Sequence, residues 1–217
     1  MSDGVNASPS PSSVRRQRAA ANRERVIAAA ADHFGTAGYA RTTMERIAGT
    51  AGMSVQSLYF TFHTKANLLQ AAFDRAALGP DGATPPLRSP WFRAAEQTAD
   101  GDEALTLVVA GVCEILARTG PLTLTAAAAA DSDPAAAEVH ARNEDLRMRD
   151  QAAMVTALVS KRPLRPGVSL QRATDVFVGL LSPQLHGLLT ATRGWPEEDF
   201  SGWATSALRR ELWDSRT

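Results

Sequence analysis

Four histidines, one cysteine and a short polar-aromatic run are the residues of this 217-residue chain best suited to chemistry. His33, His63, His140 and His186 stand apart from Cys, Asp or Glu at metal-ligand spacing. Ser182 and His186 are four apart and share a helix face, but no placed acid or oxyanion hole completes a nucleophile and its base. No phosphate-binding loop, dinucleotide fingerprint or nucleophile elbow occurs. Cys113 sits among Val108, Val109, Val112, Ile115 and Leu116, the setting of an inert core thiol, and as a single cysteine it forms no internal disulfide. These residues point away from catalysis: no catalytic residue, metal or cofactor is expected.

The run Val55-Gln56-Ser57-Leu58-Tyr59-Phe60-Thr61-Phe62 offers a different chemistry. Wound as a helix, it turns Leu58 and Phe62 inward and Gln56, Ser57, Phe60 and Thr61 outward. Gln can bond N6 and N7 of adenine, Ser can bond either class of base, and Thr or Phe can touch a thymine methyl. A short helix of this kind reads the major groove of double-stranded DNA when a second helix braces it.

The flanking text supplies that brace. Helical periodicity begins near residue 19 and lines up Ile27, Ala30, Ala31 and Phe34, with Gly38 as the stop. Thr42 with Glu45 predicts a capping box, followed by a helix burying Met44, Ile47, Ala48 and Ala51. Gly52 turns the chain, Ser54 caps the reading helix, and Thr64 caps a fourth helix through Leu68, Leu69, Ala72 and Phe73 to about Leu78. Residues 1–14 read as a disordered tail, 15–78 as one domain, 79–90 as a Pro/Gly-rich linker, and 90–217 as a second domain. Five helical stretches are predicted there. They run from Asp102 to about Arg118, from 121 to 131, from Asp133-Pro134 to about Arg162, from Leu170 to about Thr192 with Pro183 inside, and from Pro196 to about Trp213. The fold class is all-α.

Charge supports the division. Lys+Arg 23 balance Asp+Glu 23, so a uniformly basic coat is excluded. Residues 14–75 nevertheless carry nine basic side chains against four acidic ones, which suggests an anionic partner for the first domain alone. Lys65 and Lys161 are the only lysines. No signal-peptide core and no apolar run of about 20 residues is apparent, so a cytoplasmic protein with no membrane partner is expected.

At fixed spacing the chain carries Arg25-Val26-Ile27-Ala28-Ala29-Ala30, Phe34, Gly38-Tyr39, Thr42-Thr43-Met44, Ile47-Ala48, Ala51-Gly52-Met53-Ser54, Leu58-Tyr59-Phe60-Thr61-Phe62, Lys65 and Leu68-Leu69. This stretch of about 50 residues resembles the TetR family of bacterial transcriptional regulators. The segment Ser182-Pro183, Arg193-Gly194-Trp195-Pro196-Glu197, Trp203 and Leu208 is similar to the dimer-forming C-terminal helices of many members. The resemblance implies an N-terminal three-helix helix-turn-helix DNA-binding domain and a C-terminal helical ligand-binding and dimerisation bundle. It implies phosphate contacts from Thr43, Tyr59 and Lys65. Gln56-Ser57 stands where the family often has Gly-Thr, and Thr61 where it often has His or Tyr, so no operator sequence carries over.

The function expected is a ligand-responsive repressor, dimeric on a pseudo-palindromic operator and released by a small molecule. Arg15, Arg16 and Arg18 are candidates for phosphate or minor-groove contact. Trp91, Phe92, Cys113, Leu116, Arg147, Met148, Met154, Phe177 and His186 are candidates for the ligand pocket, with Arg147 or His186 fixing a polar group. The Leu170–Thr192 and Glu197–Trp213 helices are expected to form a homodimer through Val176, Leu180, Leu188, Leu208 and Leu212. Two alternatives stand beside this reading. One is a DNA-binding regulator without an effector, and the other is an all-α protein whose helix-turn-helix only packs.

Overall fold

The computed structural model describes residues 11–78 and 84–213, and the described residues form helices and no strand. Helix α1 spans Pro11–Ala37, α2 Met44–Ala51, α3 Val55–Phe62 and α4 Lys65–Ala77. Residues 1–10 of the expected tail lie outside the described residues, whereas 11–14 already belong to α1. Arg15, Arg16 and Arg18 therefore sit exposed on a helix and not in a tail.

Each short helix has a side-chain start. Thr43, Ser54 and Thr64 accept hydrogen bonds from the backbone N–H of Arg46, Ser57 and Asn67. The cap of α2 is thus Thr43 and not the expected Thr42. Thr42 is fully buried and donates to the carbonyls of Gly38 (2.7 Å) and His33 (3.0 Å), tying the chain back onto α1. Gly52 closes α2 at φ 65°, a conformation open to a residue without Cβ.

The linker is shorter than expected. Residues 79–83 lie outside the described residues, a single tight turn covers Pro86–Arg88, and α5 (Pro90–Gln97) follows, capped by Ser89. Helix α6 then runs unbroken over Gly101–Ala129, passing the expected stop at Gly120-Pro121. Pro121 removes one donor to the helix ladder, but its ring faces outward and both halves of α6 are packed. Unbroken, α6 is long and apolar enough by length and composition to cross a membrane, contrary to the expectation from the text. Its apolar residues instead form much of the protein's interior. Helix α7 covers Pro134–Lys161 behind its cap Asp133. The expected long helix after Ser169 is divided: α8 is Leu170–Leu180, and α9 restarts at Pro183–Gly187 with Ser182 as cap. The chain continues as a wider helical turn over Leu188–Thr192. Pro183 occupies the first turn of a new helix, where its missing N–H costs nothing. Helix α10 spans Glu197–Leu212, with three acids in its first turn and two arginines in its last, matching the helix dipole.

Two cores result. One joins Phe34, Ile47, Leu58, Leu68 and Leu69 of α1–α4 with Leu122, Ala126 and Ala129 of α6 and Ala136 and Val139 of α7. The other joins Phe92, the first half of α6, Met154 and Leu158 of α7, Phe177 of α8 and Phe200 and Leu208 of α10. Pro121 marks the point where α6 passes from one core to the other. The N-terminal helices are therefore built onto the far half of α6, not merely tethered to it.

Candidate nucleic-acid interface and ligand cavity

Helix α3 is held by Leu58 and Phe62, which are buried, and by α2 across the Gly52 turn. Its other face is open. Phe60 is 84% and Tyr59 47% exposed, and Gln56, Ser57 and Thr61 are exposed beside them, with Val55 half-buried at the first turn. The Ser57 hydroxyl pairs with that of Ser54 (2.8 Å), and Thr61 donates to the Ser57 carbonyl (2.9 Å), which leaves its methyl on the outer side. At the end of α3, His63 adopts φ 62°, and the Thr64 N–H bonds the Phe62 carbonyl two residues back at 2.7 Å. This tight three-residue turn is a strained form for a side-chain-bearing residue. Lys65 follows two residues after His63 as the first residue of α4.

Lys65 is fastened. Its Nζ donates to the Tyr39 carbonyl at 3.0 Å and lies 3.9 Å from the centre of the Tyr39 ring. One ammonium proton is engaged there and two remain for an anion. Tyr39 is itself buried, stacked on Phe34 and set against Asp133. Burial, followed by the Asp133 carboxylate, pushes its phenol well above the ordinary range. Asp133 is held below its usual value, first by the N–H of Ala136, which it caps. A chain of contacts thus runs from the start of α4 to the start of α7. Thr43 and Arg46, at the start of α2, are both exposed.

A cavity of about 540 Å³ lies where α4 ends. Phe73 and Leu78 of α4, Pro85 and Pro86 after the linker, Val112, Leu116, Thr119 and Thr123 of α6, and Arg147, Asp150, Gln151 and Met154 of α7 line it. Arg147 binds both carboxylate oxygens of Glu144 (2.8 and 3.1 Å) and Oε1 of Gln151 (3.1 Å), and Gln151 donates in turn to the Leu181 carbonyl (3.3 Å). A wider, more open cleft of about 870 Å³ runs between the α1–α2 connection, α6 and α9, with His186 and Trp195 on its wall.

Residues 26–72 match the family model for bacterial regulatory proteins of the tetR family. The match covers the helix-turn-helix segment from α1 into α4, and it is this segment that is of the TetR type. The fold agrees over almost its whole length. A TetR-family transcriptional regulator from Rhodococcus sp. superposes with TM-score 0.67 at 17% identity, covering 88% of this chain and 98% of that one. FadR from Bacillus subtilis, in complex with stearoyl-CoA, gives 0.65 at 17% identity over 85% and 96%. NalD, the secondary repressor of a multidrug efflux pump in Pseudomonas aeruginosa, gives 0.64 at 17% over 92% and 100%. No curated protein matches the chain in sequence.

The sequence-derived residues fall into distinct places. Val55, Gln56, Ser57, Tyr59, Phe60 and Thr61 lie on α3, Thr43 caps α2 and Lys65 is the first residue of α4. The pocket candidates do not gather. Leu116, Arg147 and Met154 line the 540 Å³ cavity, and His186 lines the other cleft. Phe92, Cys113 and Phe177 are core, and burial raises the Cys113 thiol to about 11. Trp91 packs over Gly111, and Met148 is 48% exposed. His186 is buried, bonds Glu197 Oε2 at 2.8 Å and stands edge-on to Phe200. Leu208 and Leu212 are buried within the chain and cannot serve a dimer, whereas Leu188 is 50% exposed and Val176 and Leu180 are half-buried. Sequence reasoning missed Phe73, Thr119, Thr123, Asp150 and Gln151. Arg147, Gln151 and Met154 share the stripe of α7 that faces inward, so a polar pair on an inward stripe was the available signal.

Proposed function

We propose that this regulator is a ligand-responsive repressor, dimeric on a pseudo-palindromic operator and acting in the cytoplasm, where the DNA is. The observation that carries the reading is the course of α4. It begins at Lys65, three residues past the end of α3, and its far end puts Phe73 and Leu78 in the wall of the 540 Å³ cavity. A ligand filling that cavity presses on the same rigid element that positions the DNA-reading unit. It shifts the dimer only by its difference in affinity for the two arrangements. Gln56, Ser57, Phe60 and Thr61 are assigned to base edges, and Thr43, Tyr59 and Lys65 to phosphates. Arg15, Arg16 and Arg18 extend the basic face along α1. Two copies joined through the outer faces of α8–α10 place two reading helices about one helical turn of DNA, or a related spacing, apart. The stearoyl-CoA held by the Bacillus subtilis neighbour supports the idea that this architecture has room for an effector.

The test separates backbone from base contacts. An operator is first selected from random duplexes. Lys65→Ala should then weaken binding to operator and random DNA alike, with the log–log salt slope reduced by roughly 0.9. Gln56→Ala should change the selected sequence, at about 1–3 kcal/mol per lost base contact. An unchanged slope and an unchanged consensus would remove α3 and Lys65 from the interface.

A further inference from the structure

The cavity at the end of α4 has an uneven polar lining. Its hydrogen-bond donors are almost all engaged within the protein. Arg147 is held by Glu144 and Gln151, and the Gln151 amide by the Leu181 carbonyl. The Asn143 amide donates to Gln70 and to the Val139 carbonyl. Thr119 and Thr123 donate their hydroxyl protons back into α6, to Ile115 (2.9 Å) and Thr119 (3.1 Å), so only their lone pairs remain for a ligand. The acceptors Asp74, Glu144, Asn143 and Gln151 are engaged in the same way, which leaves Asp150 and the threonine lone pairs over. Asp150 is half-buried and makes no hydrogen bond or ion pair among the described residues. The cation that acts on it electrostatically, Arg149, is exposed and pairs with Asp145. Arg142 is the remaining cation of the lining. It is exposed at the rim, eight residues from Asp150 along α7, which is about 12 Å at the helical rise.

From this arrangement we infer that the cavity takes a cationic amphiphile, an apolar body carrying one ammonium group seated against Asp150. The apolar part meets Phe73, Val112, Leu116 and Met154, and the cation meets a carboxylate with no partner of its own. A carboxylate left unpaired in a half-buried site is costly, and a ligand cation removes that cost. The direction of the Asp150 pKa, raised by burial with Arg149 opposing weakly, is what an unpaired carboxylate shows. An anionic ligand would instead face Asp150 and the threonine lone pairs, with Arg142 out at the rim. The inference rests on the effector reading of the same cavity and narrows it to a ligand class.

Four probes that share one chain test it: decylammonium, decyltrimethylammonium, 1-decanol and decanoate, titrated calorimetrically into the full-length protein. At least one cation should bind about tenfold tighter than decanol, equivalent to ~1.4 kcal/mol, and decanoate should bind weakest. Asp150→Asn should bring the cations to the affinity of decanol and leave decanol unchanged, and Asp150→Glu should restore the preference. Equal or tighter binding of decanol or decanoate, a cation preference that survives Asp150→Asn, or no binding by any probe would overturn the inference. Operator release is followed separately by fluorescence anisotropy. Cations that bind through Asp150 without releasing DNA would leave the inference standing and overturn the effector reading. Release by decanol with no charge preference would do the reverse.

Discussion

The two cores of this chain differ in the helices that carry their sites. Around the N-terminal one, helices of 8, 8 and 13 residues each start on a threonine or serine cap, and turns at Gly52 and His63 fix the angles between them. Around the C-terminal one, helices of 29 and 28 residues lie side by side, and their inner faces leave a cavity between α4, α6 and α7. Short capped helices define direction closely, which suits a surface that must match the spacing of DNA. Long helices tolerate a gap, because neighbours on either side of it keep them in register. The two cores meet in α6, whose far half completes the N-terminal core and whose near half builds the other.

That joint is the place to break the comparison. Leu122→Ala opens a void in the N-terminal core from a residue outside the N-terminal helices, and it should lower stability by about 2–5 kcal/mol. Hydrogen exchange should then lose protection along α1 and α4 as well as α6. Protection lost along α6 alone would show that the N-terminal helices stand by themselves. On the other side, a Cβ at Gly111 would sit 2.2 Å from the Trp91 ring. Gly111→Ala should therefore cost about 1–3 kcal/mol by overpacking, read as a lower thermal midpoint with α5 displaced. An unchanged midpoint would mean that Trp91 swings aside freely.

Smaller effects sharpen the contrast. Ser54→Ala removes the cap of α3 and should cost about 1 kcal/mol, with DNA affinity falling more than probe affinity in the cavity. Equal losses at both sites would argue against separate roles for the two cores. The smallest effect is a pH dependence from Asp150. Burial raises its folded pKa, so the folded chain holds that proton more tightly than the unfolded chain does. Stability from this group is intact below the unfolded value and declines as pH rises through the folded one. Urea midpoints of the native protein minus those of Asp150→Asn should show that decline, and a flat difference would place Asp150 in solvent.

The reading helix and its setting were legible in the sequence because they depend on local chemistry. Ser54 and Thr64 as caps, Gly52 as a turn and Leu58 with Phe62 as inward residues all act within a few positions of themselves, and each is found as expected. The same locality misled at Pro121 and Pro183, two prolines with the same intrinsic tendency to interrupt a helix. The chain passes through the first, where two packed cores hold both halves of α6, and restarts at the second, where Ser182 offers a new cap. The cavity was legible only in part: Leu116, Arg147 and Met154 line it as expected. Phe92, Cys113 and Phe177 share the composition of a pocket wall, yet they fill the core, while Asp150 and Thr123 line the space. Apolar patterning tells which side of a helix turns inward. Whether the inward side meets another side chain or a gap depends on how far apart distant helices come to rest, and only the tertiary structure decides that.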